Sequence, residues 1–287
     1  MEWIRKPGKE PLAVRQEQGV TWLSFPALEE TGLVRHAFST RLGGVSEGYF
    51  ATMNFTFTRG DNPDHVMENY RRMAGVLGVR PEDMVLSWQT HTTHVRTVTR
   101  EDAGKGVVRD RDYQDVDGLV TNVPGLTLVT FYADCVPLYL VDTVHKAIGL
   151  SHSGWRGTVN RMGRVTLERM AQEYGTDPAD VICCIGPSIC QSCYEVGREV
   201  VEVFEEAFDR EYHKELLYRK GNGKYQLDLW RANQIILEEA GVPREQIHTT
   251  DICTHCNPGL LFSHRTMGNE RGNLAAFLCL NEVEMPG

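Results

Sequence analysis

Residues 118–158 read GLVTNVPGLTLVTFYADCVPLYLVDTVHKAIGLSHSGWRGT and contain four β-rich runs separated by short polar or glycine-containing stretches. The runs are GLVT, LTLVTFY, PLYLVD and AIGLSHSG, and their lengths and flanking turn residues are typical of strands. A helix is predicted next, from apolar residues at helical spacing: Val159, Met162, Val165, Met170 and Tyr174. This segment therefore predicts consecutive strands that lead directly into a helix.

The flanking sequence adds strands and helices without strict alternation. Upstream, VTWLSF and LVRHAFST are β-rich, and residues 62–78 form a helical pattern with Asn62 as cap, Pro63 in the first turn and Gly78 at the end. Downstream, VICCIG and LAAFLCL are β-rich, and REVVEVFEEAF and RANQIILEEAG are helical. Because βαβ alternation is not strict, we predict a layered α/β fold of the α/β/β/α type, with mixed sheets and helices outside them. No linker or repeat is evident, so a single domain over residues 1–287 is favoured.

Composition and charge exclude several classes of function. The 287 residues carry a formal net charge of −9, which argues against a broad interface with nucleic acid. The N-terminus has no apolar signal-peptide region, and the apolar runs are too short and too polar to span a bilayer. We therefore expect a cytoplasmic monomer that binds neither nucleic acid nor membrane, with its eight cysteines reduced.

Three segments concentrate residues that bind metals. They are Gln89-Thr90-His91, Ala133-Asp134-Cys135 and residues 151–158, which include His152, and each lies at a predicted strand end or turn. One thiolate and two imidazoles suit Zn²⁺, and copper is also compatible. Three protein ligands would leave one position open for water or substrate, as in catalytic zinc sites. The wide spacing matches no short zinc motif, and His94, three residues after His91, competes with it as a ligand.

Two further features are candidates for anion binding. Gly154, Arg156 and Gly157 lie where a strand leads into a helix, so free amides and a guanidinium can meet an anion, although a tight turn with a surface arginine explains them equally well. Weaker basic candidates are Arg41, in a glycine-rich run, and His264.

The remaining cysteines include two C-x2-C pairs, Cys190/Cys193 and Cys253/Cys256. Such pairs often bind structural zinc, but they are usually about 15–20 residues apart. Here residues 194–252 separate them, so a second metal site and a set of buried or redox-capable cysteines both remain open.

The motifs, taken together and in order, resemble the YfiH-like family, also called the laccase-domain or polyphenol-oxidase-type family, and above all its bacterial YlmD-type members. The matching segments extend from residue 38 to residue 265 and are Phe38-Ser39-Thr40-Arg41, Gly43-Gly44-Val45-Ser46, Gln89-Thr90-His91, Asp117-Gly118-Leu119-Val120-Thr121, Ala133-Asp134-Cys135-Val136-Pro137, His152-Ser153-Gly154-Trp155-Arg156-Gly157-Thr158, Ile185-Gly186-Pro187, Cys193-Tyr194-Glu195-Val196-Gly197 and Phe262-Ser263-His264-Arg265.

The resemblance implies a single layered α/β domain with a metal site of His91, Cys135 and His152, and it selects His91 over His94. Members of the family are described as purine nucleoside phosphorylases with adenosine deaminase activity, and in older descriptions as copper-dependent polyphenol oxidases. The partners implied are purine nucleosides, including methylthioadenosine, and phosphate, with Arg41, Arg156 and His264 as candidate contacts. The catalytic candidates are Cys135, His152 and Asp134, where Asp134 would orient a ligand or move a proton; a capped turn is the structural alternative.

The ligand chemistry argues against a multicopper oxidase and leaves the other functions open. Ten histidines without a His-x-His pair do not supply the ligands of several coppers, so the residues favour one mononuclear site. Phosphorolysis needs a phosphate pocket, and deamination needs water activated by a metal. A cysteine hydrolase or amidase with Cys135 as nucleophile and His152 as base uses the same residues, as does a non-enzymatic metal site. The sequence therefore favours a metal-dependent purine nucleoside phosphorylase with zinc, and leaves these alternatives to be separated by metal content and products.

Overall fold

The computed structural model describes residues 2–9 and 11–282. The strands are β1 (Ala13–Glu17), β2 (Val20–Ser24), β3 (Val34–Ser39), β4 (Met84–Leu86), β5 (Val95–Thr97), β6 (Gly118–Thr121), β7 (Thr127–Tyr132), β8 (Val136–Asp142), β9 (Ala147–Ser153), β10 (Val181–Ile185), β11 (Glu195–Val196), β12 (Leu217–Arg219), β13 (Tyr225–Leu227), β14 (Ile247–Thr249) and β15 (Leu274–Leu280). The helices are α1 (Pro26–Glu30), α2 (Pro63–Leu77), α3 (Trp155–Val159), α4 (Met162–Tyr174), α5 (Arg198–Ala207), α6 (His213–Leu216), α7 (Leu229–Glu239) and α8 (His264–Met267).

The strands form two six-stranded mixed sheets and one small sheet. The first sheet has the order β1-β2-β3-β15-β7-β4, and the second has the order β14-β10-β8-β9-β6-β5. In each large sheet most neighbours are antiparallel, with parallel pairs at the edges, such as β4 with β7 and β5 with β6. The third sheet, β11-β13-β12, lies outside both. The predicted mixed-sheet α/β class is confirmed.

Three apolar clusters show how these sheets are layered. One cluster joins Leu128 and Leu278 of the first sheet to Tyr139 and Leu150 of the second, so the two sheets pack face to face. A second packs α2 on the outer face of the first sheet, and a third packs α4, α5 and α7 on the outer face of the second. This order of layers, helix, sheet, sheet and helix, is the one predicted.

Local signals explain the first long helix. The Asn62 side chain accepts a hydrogen bond from the Asp64 amide, Pro63 occupies the first turn, and Gly78 ends the helix with φ of 64°. These contacts satisfy amides at the start of the helix and provide the left-handed residue that commonly ends one. The predicted boundaries are confirmed.

The helix predicted after β9 is divided in two. Helix α3 ends before Asn160, and Arg161, with φ of 63°, separates it from α4. A left-handed arginine interrupts the helix because that conformation cannot continue a right-handed helical turn. None of the helices in the described part of the chain combines the length and apolar character needed to cross a bilayer.

Candidate metal centre

The antiparallel pairing of β8 with β9 positions two of the predicted metal ligands. Val136 pairs with Ser153 and Pro137 with His152, so Cys135, immediately before β8, lies beside the end of β9. His91 reaches the same place from the loop between β4 and β5. The ligand atoms of His91, Cys135 and His152 all lie within 4.8 Å of one another.

His91 and His94 are separated by the structure. His94 points elsewhere, with its Nδ1 3.1 Å from the Asp115 carbonyl oxygen, whereas His91 joins Cys135 and His152. The two imidazole rings of His91 and His152 cross at 78° with centroids 5.0 Å apart, so their nitrogens converge rather than stack. One thiolate and two imidazoles at this separation fit a tetrahedral zinc with one open position.

Asp117 organises this centre, although sequence reasoning noted it only within a family motif. Its buried carboxylate lies 2.8 Å from His152 Nδ1, which leaves the other ring nitrogen, Nε2, for a metal. The same carboxylate accepts hydrogen bonds from the amides of Thr90, His91 and Thr92 at 2.9, 3.1 and 3.0 Å. Asp117 therefore holds both candidate histidine ligands, His152 through its ring and His91 through its backbone.

The electrostatics of the centre favour a thiolate. Burial raises the pKa of Cys135, but the charge of His152 and hydrogen bonds from both histidines outweigh burial and lower that pKa to about 6. Burial lowers the pKa of His152, whereas Cys135 and Asp117 raise it, to about 9. Burial raises the pKa of Asp117, but the hydrogen bond and charge of His152 outweigh burial and hold the pKa of Asp117 below its usual value. A thiolate is the form of cysteine that binds metal.

Gly154 makes room for the ligands. A Cβ atom at Gly154 would lie 3.1 Å from both Cys135 Sγ and His91 Cδ2, tighter than ordinary packing allows. At Gly157 the nearest atom to an added Cβ would be 3.5 Å away, an ordinary contact. The absence of a side chain at Gly154 therefore leaves room for the candidate metal ligands Cys135 and His91.

Two cavities meet at the centre. The larger has a volume of about 590 Å³ and the smaller about 190 Å³, and both are lined by His91, Ala133, Cys135 and His264. The larger volume lies within the range of about 300–1,000 Å³ typical of sites for small molecules. An open coordination position here would face space that a substrate can occupy.

The larger cavity contains basic residues that the sequence analysis did not select: Arg59, Arg111 and Arg271. Among the described residues neither Arg59 nor Arg271 forms a salt bridge, and Arg271 Nε is buried without a hydrogen-bond partner. The Arg59 guanidinium donates to the carbonyl oxygens of Arg271 and Asn269, and Arg271 Nη1 donates to the Gly272 carbonyl oxygen. Burial and the charge of Arg59 lower the pKa of Arg271, and the charges of Asp134 and Cys135 oppose them, which leaves that pKa at about 10. Two neighbouring cations without a carboxylate are typical of an anion site. Arg59 and Arg271 are far apart in the sequence, so no local motif indicated that they line the same cavity.

The predicted phosphate contacts are only partly brought together. Arg156 and His264 line the smaller cavity, and the Arg156 guanidinium lies 4.3 Å from the centre of the Trp155 ring. Arg41 lines neither cavity: its guanidinium donates to the carbonyl oxygens of Ala51 and Pro258 and lies over Phe262. The structure therefore gives Arg41 a role in loop packing.

Asp134 is held by its neighbours rather than pointed at a ligand. Its two carboxylate oxygens accept hydrogen bonds from Thr254 Oγ1 at 2.7 Å and from the Arg265 amide at 2.6 Å. Its backbone is left-handed, with φ of 89°, directly before Cys135. These contacts favour a positioning role for Asp134, through the backbone of Cys135; the catalytic role predicted from the sequence stays a prediction.

Residues 35–281 match a family model described as multi-copper polyphenol oxidoreductase laccase. The chain belongs to this family. Two crystal structures have the same fold: YfiH of Bacillus licheniformis, with a TM-score of 0.87 and 31% identity over 93% of this chain and 99% of that one, and YlmD of Geobacillus stearothermophilus, with a TM-score of 0.86 and 33% identity over 95% and 100%.

Curated relatives in the family carry enzyme names. A purine nucleoside phosphorylase of Bacteroides thetaiotaomicron is 36% identical over 91% of this chain and 96% of its own length. The adenosine deaminase RL5, from an unknown prokaryotic organism, is 34% identical over 82% and 90%. Despite the family description, only one ligand group containing histidine is found among the described residues, so the geometry offers a mononuclear centre.

Proposed function

We propose that the chain is a metal-dependent purine nucleoside phosphorylase that also deaminates adenosine. The observation that carries the proposal is the three-ligand centre in the lining of two cavities, the larger of which contains Arg59 and Arg271. The names of the relatives, purine nucleoside phosphorylase and adenosine deaminase, support the substrate class.

Zinc is our choice for the resident metal, held by His91, Cys135 and His152, because a thiolate and two imidazoles suit it and leave one position open. Bound zinc would supply Lewis-acid polarisation of an oxygen near the reacting bond. We further propose one catalytic domain, a monomer, and the cytoplasm as its location, where the thiol ligands would stay reduced.

The larger cavity suits both parts of the reaction. Trp88 and Phe131 line it and offer aromatic faces for a purine, with the Arg111 guanidinium 4.4 Å from the centre of the Trp88 ring. Arg59 and Arg271 would hold phosphate so that one of its oxygens bonds to ribose C1′ while the bond from C1′ to the purine nitrogen breaks. The purine takes up a proton as it leaves, giving the free base and ribose 1-phosphate.

Arg156 is retained as a second phosphate candidate, in the smaller cavity, and His264 as a substrate contact. His264 Nδ1 lies 3.0 Å from the Gly268 carbonyl oxygen, so the Nε2 side of its ring stays available. His264 lines both cavities, which suits a side chain that contacts substrate next to the metal centre.

Products test the proposal directly. Protein of measured zinc content is incubated with adenosine, with and without phosphate, and the products are identified by liquid chromatography and mass spectrometry. We expect adenine and ribose 1-phosphate only with phosphate, and inosine under both conditions. Rapid oxygen-consuming phenol oxidation by the zinc form, without nucleoside turnover, would overturn the proposal. Slow phenol oxidation that requires added Cu²⁺ agrees with it, because copper displaces zinc from nitrogen and sulfur ligands.

A cysteine hydrolase is the second candidate, favoured by one observation. Cys135, His152 and Asp117 also form the nucleophile, base and orienting carboxylate of a hydrolytic triad, with 2.8 Å between His152 Nδ1 and Asp117. The metal-free protein would then hydrolyse amides or esters, and zinc would inhibit it by occupying Cys135. Nucleoside turnover that disappears on metal removal and returns with zinc excludes this candidate as the main activity.

A further inference from the structure

The two C-x2-C pairs meet in the fold. Cys190 and Cys193 lie on the segment after β10, and Cys253 and Cys256 on the segment after β14. Although residues 194–252 separate the pairs in sequence, their four sulfur atoms all lie within 4.8 Å of one another. Cys190 and Cys253 are buried, and Cys193 and Cys256 are half-buried.

The spacing of the sulfur atoms suits a shared ion better than covalent pairing. Cys193 Sγ and Cys256 Sγ are 3.4 Å apart, and all eight cysteines of the chain are free. Zinc at about 2.3 Å from each of four sulfurs in a tetrahedron sets neighbouring sulfurs about 3.8 Å apart. A disulfide requires about 2.05 Å. The cluster therefore has the size of a four-thiolate zinc site.

The backbone around the cluster also supports thiolates. Gln191–Cys193 form a turn of 3₁₀ helix in which the amides of Cys193 and Tyr194 both donate to the Cys190 carbonyl oxygen at 3.0 Å. The Cys190 amide donates to Cys253 Sγ at 3.3 Å, across the two pairs. An amide directed at a sulfur stabilises its negative charge.

Hydroxyl and ammonium groups add to this environment. Ser192 Oγ lies 3.2 Å from Cys190 Sγ, and Lys6 Nζ lies 3.5 Å from Ser192 Oγ. Four thiolates with one Zn²⁺ carry a net charge of −2, which a nearby lysine partly offsets.

We propose that Cys190, Cys193, Cys253 and Cys256 bind a second zinc ion, with a structural role. Four protein ligands complete a tetrahedron and leave no position for water or substrate. This site differs in chemistry from the one formed by His91, Cys135 and His152, and it does not depend on which reaction the chain catalyses.

The contacts of the two segments indicate what the ion stabilises. Each C-x2-C segment contacts the loop that precedes Cys135: the Ile189 amide donates to the Asp134 carbonyl oxygen at 3.0 Å, and Thr254 Oγ1 donates to the Asp134 carboxylate at 2.7 Å. The second segment also holds the N-terminal segment, because the Ile4 amide donates to Asn257 Oδ1 at 2.8 Å. A zinc ion would therefore fasten two loops that support the wall of the active site.

Metal content provides the test. Wild-type protein purified without added metal, and freed of loosely bound ions by gel filtration, is analysed by inductively coupled plasma mass spectrometry. We expect about two zinc ions per chain. Cys193→Ser and Cys256→Ser, which change the two half-buried ligands, should each retain about one. Cys279→Ala, which removes a buried thiol outside both clusters, should retain two.

A spectroscopic measurement on the wild type keeps the proposal testable if the serine variants do not fold. Protein exchanged with Co²⁺ should show the intense charge-transfer absorption of a four-sulfur tetrahedral site in addition to the weaker signal of the mixed site. Denatured protein, prepared without reductant, should give eight reactive thiols with Ellman's reagent. A single zinc ion per wild-type chain that Cys193→Ser and Cys256→Ser retain, iron instead of zinc, six reactive thiols or no four-sulfur cobalt signal would each overturn the proposal.

Discussion

The two ligand clusters of this chain differ in composition and in their surroundings. His91, Cys135 and His152 combine nitrogen with sulfur and contribute to the lining of the two cavities, whereas the other cluster contains only sulfur and lines neither cavity. The first offers three ligands, so a zinc ion bound there would keep one coordination position open for water or substrate. The second offers four ligands, which fill the coordination sphere of zinc. An incomplete ligand set beside a cavity suits chemistry, and a complete set between two loops suits stability.

Their supporting contacts differ in the same way. At the mixed cluster a buried carboxylate, Asp117, orients one ligand ring and binds the backbone of another. At the all-sulfur cluster the support comes from a backbone amide and short turns, since thiolates have no second ring atom to orient. Ring orientation therefore has to be provided only where histidine is a ligand.

Loss of Cys135 tests the functional side of this comparison and has the largest expected effect. Cys135→Ala removes the thiolate of the mixed cluster, so we expect kcat/KM for adenosine phosphorolysis to fall roughly 10³-fold or more. One zinc ion should be lost while the circular dichroism spectrum is unchanged. Cys279→Ala serves as the matched control and should keep both metal and activity. Full activity in Cys135→Ala would end the assignment of the mixed cluster as the catalytic centre.

The next largest effect is expected from Asp117, which orients candidate ligands of the mixed cluster and has no counterpart at the all-sulfur cluster. In Asp117→Asn the charge opposite His152 disappears and the amide group cannot accept all the hydrogen bonds that the carboxylate accepts. We expect zinc affinity of the mixed site, or activity, to fall about 10–100-fold. Zinc competition with a chromophoric chelator measures the affinity. Asp115→Asn, which changes a carboxylate bonded to Thr90 Oγ1 but not to a ligand ring, should have little effect.

Arginine side chains line the larger cavity beside the mixed cluster, whereas the all-sulfur cluster lines neither cavity. The effect expected from removing one of these arginines is similar in size to that of Asp117→Asn. Arg271→Ala should raise the KM for phosphate about 10–100-fold, the effect of a lost charge-assisted hydrogen bond of about 1.5–3 kcal/mol. Deamination of adenosine, which uses no phosphate, should change much less. Arg271→Lys should restore part of the loss. If Arg156→Ala raises that KM and Arg271→Ala does not, phosphate binds in the smaller cavity.

Gly154 offers the smallest and most local test. Gly154→Ala places a methyl group 3.1 Å from Cys135 Sγ and His91 Cδ2, so the ligands must shift by a few tenths of an ångström. We expect zinc affinity of the mixed site to fall about tenfold, about 1.4 kcal/mol, with zinc at the all-sulfur cluster retained. Gly157→Ala, where the nearest atom is 3.5 Å away, is the control. Equal zinc affinity in the two variants would show that the centre tolerates the added methyl group.

Prediction from the sequence succeeded where neighbouring residues carry the information. The cap at Asn62, the end at Gly78 and the strands between residues 118 and 153 are specified by local side-chain chemistry and by apolar patterns. The division of α3 from α4 at Arg161 was missed, because a left-handed arginine has no distinctive sequence signal. The hairpin of β12 and β13 was also missed, since its strands have only three residues each.

At the candidate site, residue type was informative and proximity was not. His91, Cys135 and His152 were selected through family motifs, while spacing alone left His94 open; the β8–β9 register and the loop held by Asp117 bring His91 to the other two. Arg41 has the right charge for phosphate, but it lines neither cavity, and its guanidinium donates to the carbonyl oxygens of Ala51 and Pro258 in the loop around it. Arg271 was overlooked because its significance depends on burial and on Arg59.

Local sequence was thus sufficient for most helices and strands, for the mixed α/β class and for the residue types of a metal centre, because capping, periodicity and ligand chemistry are short-range properties. Which histidine joins Cys135, which arginines face the cavity and whether two cysteine pairs separated by residues 194–252 meet are long-range properties. They depend on strand register and on the packing of loops from distant parts of the chain. No pattern along the sequence encodes these distances, so they became visible only in the folded molecule.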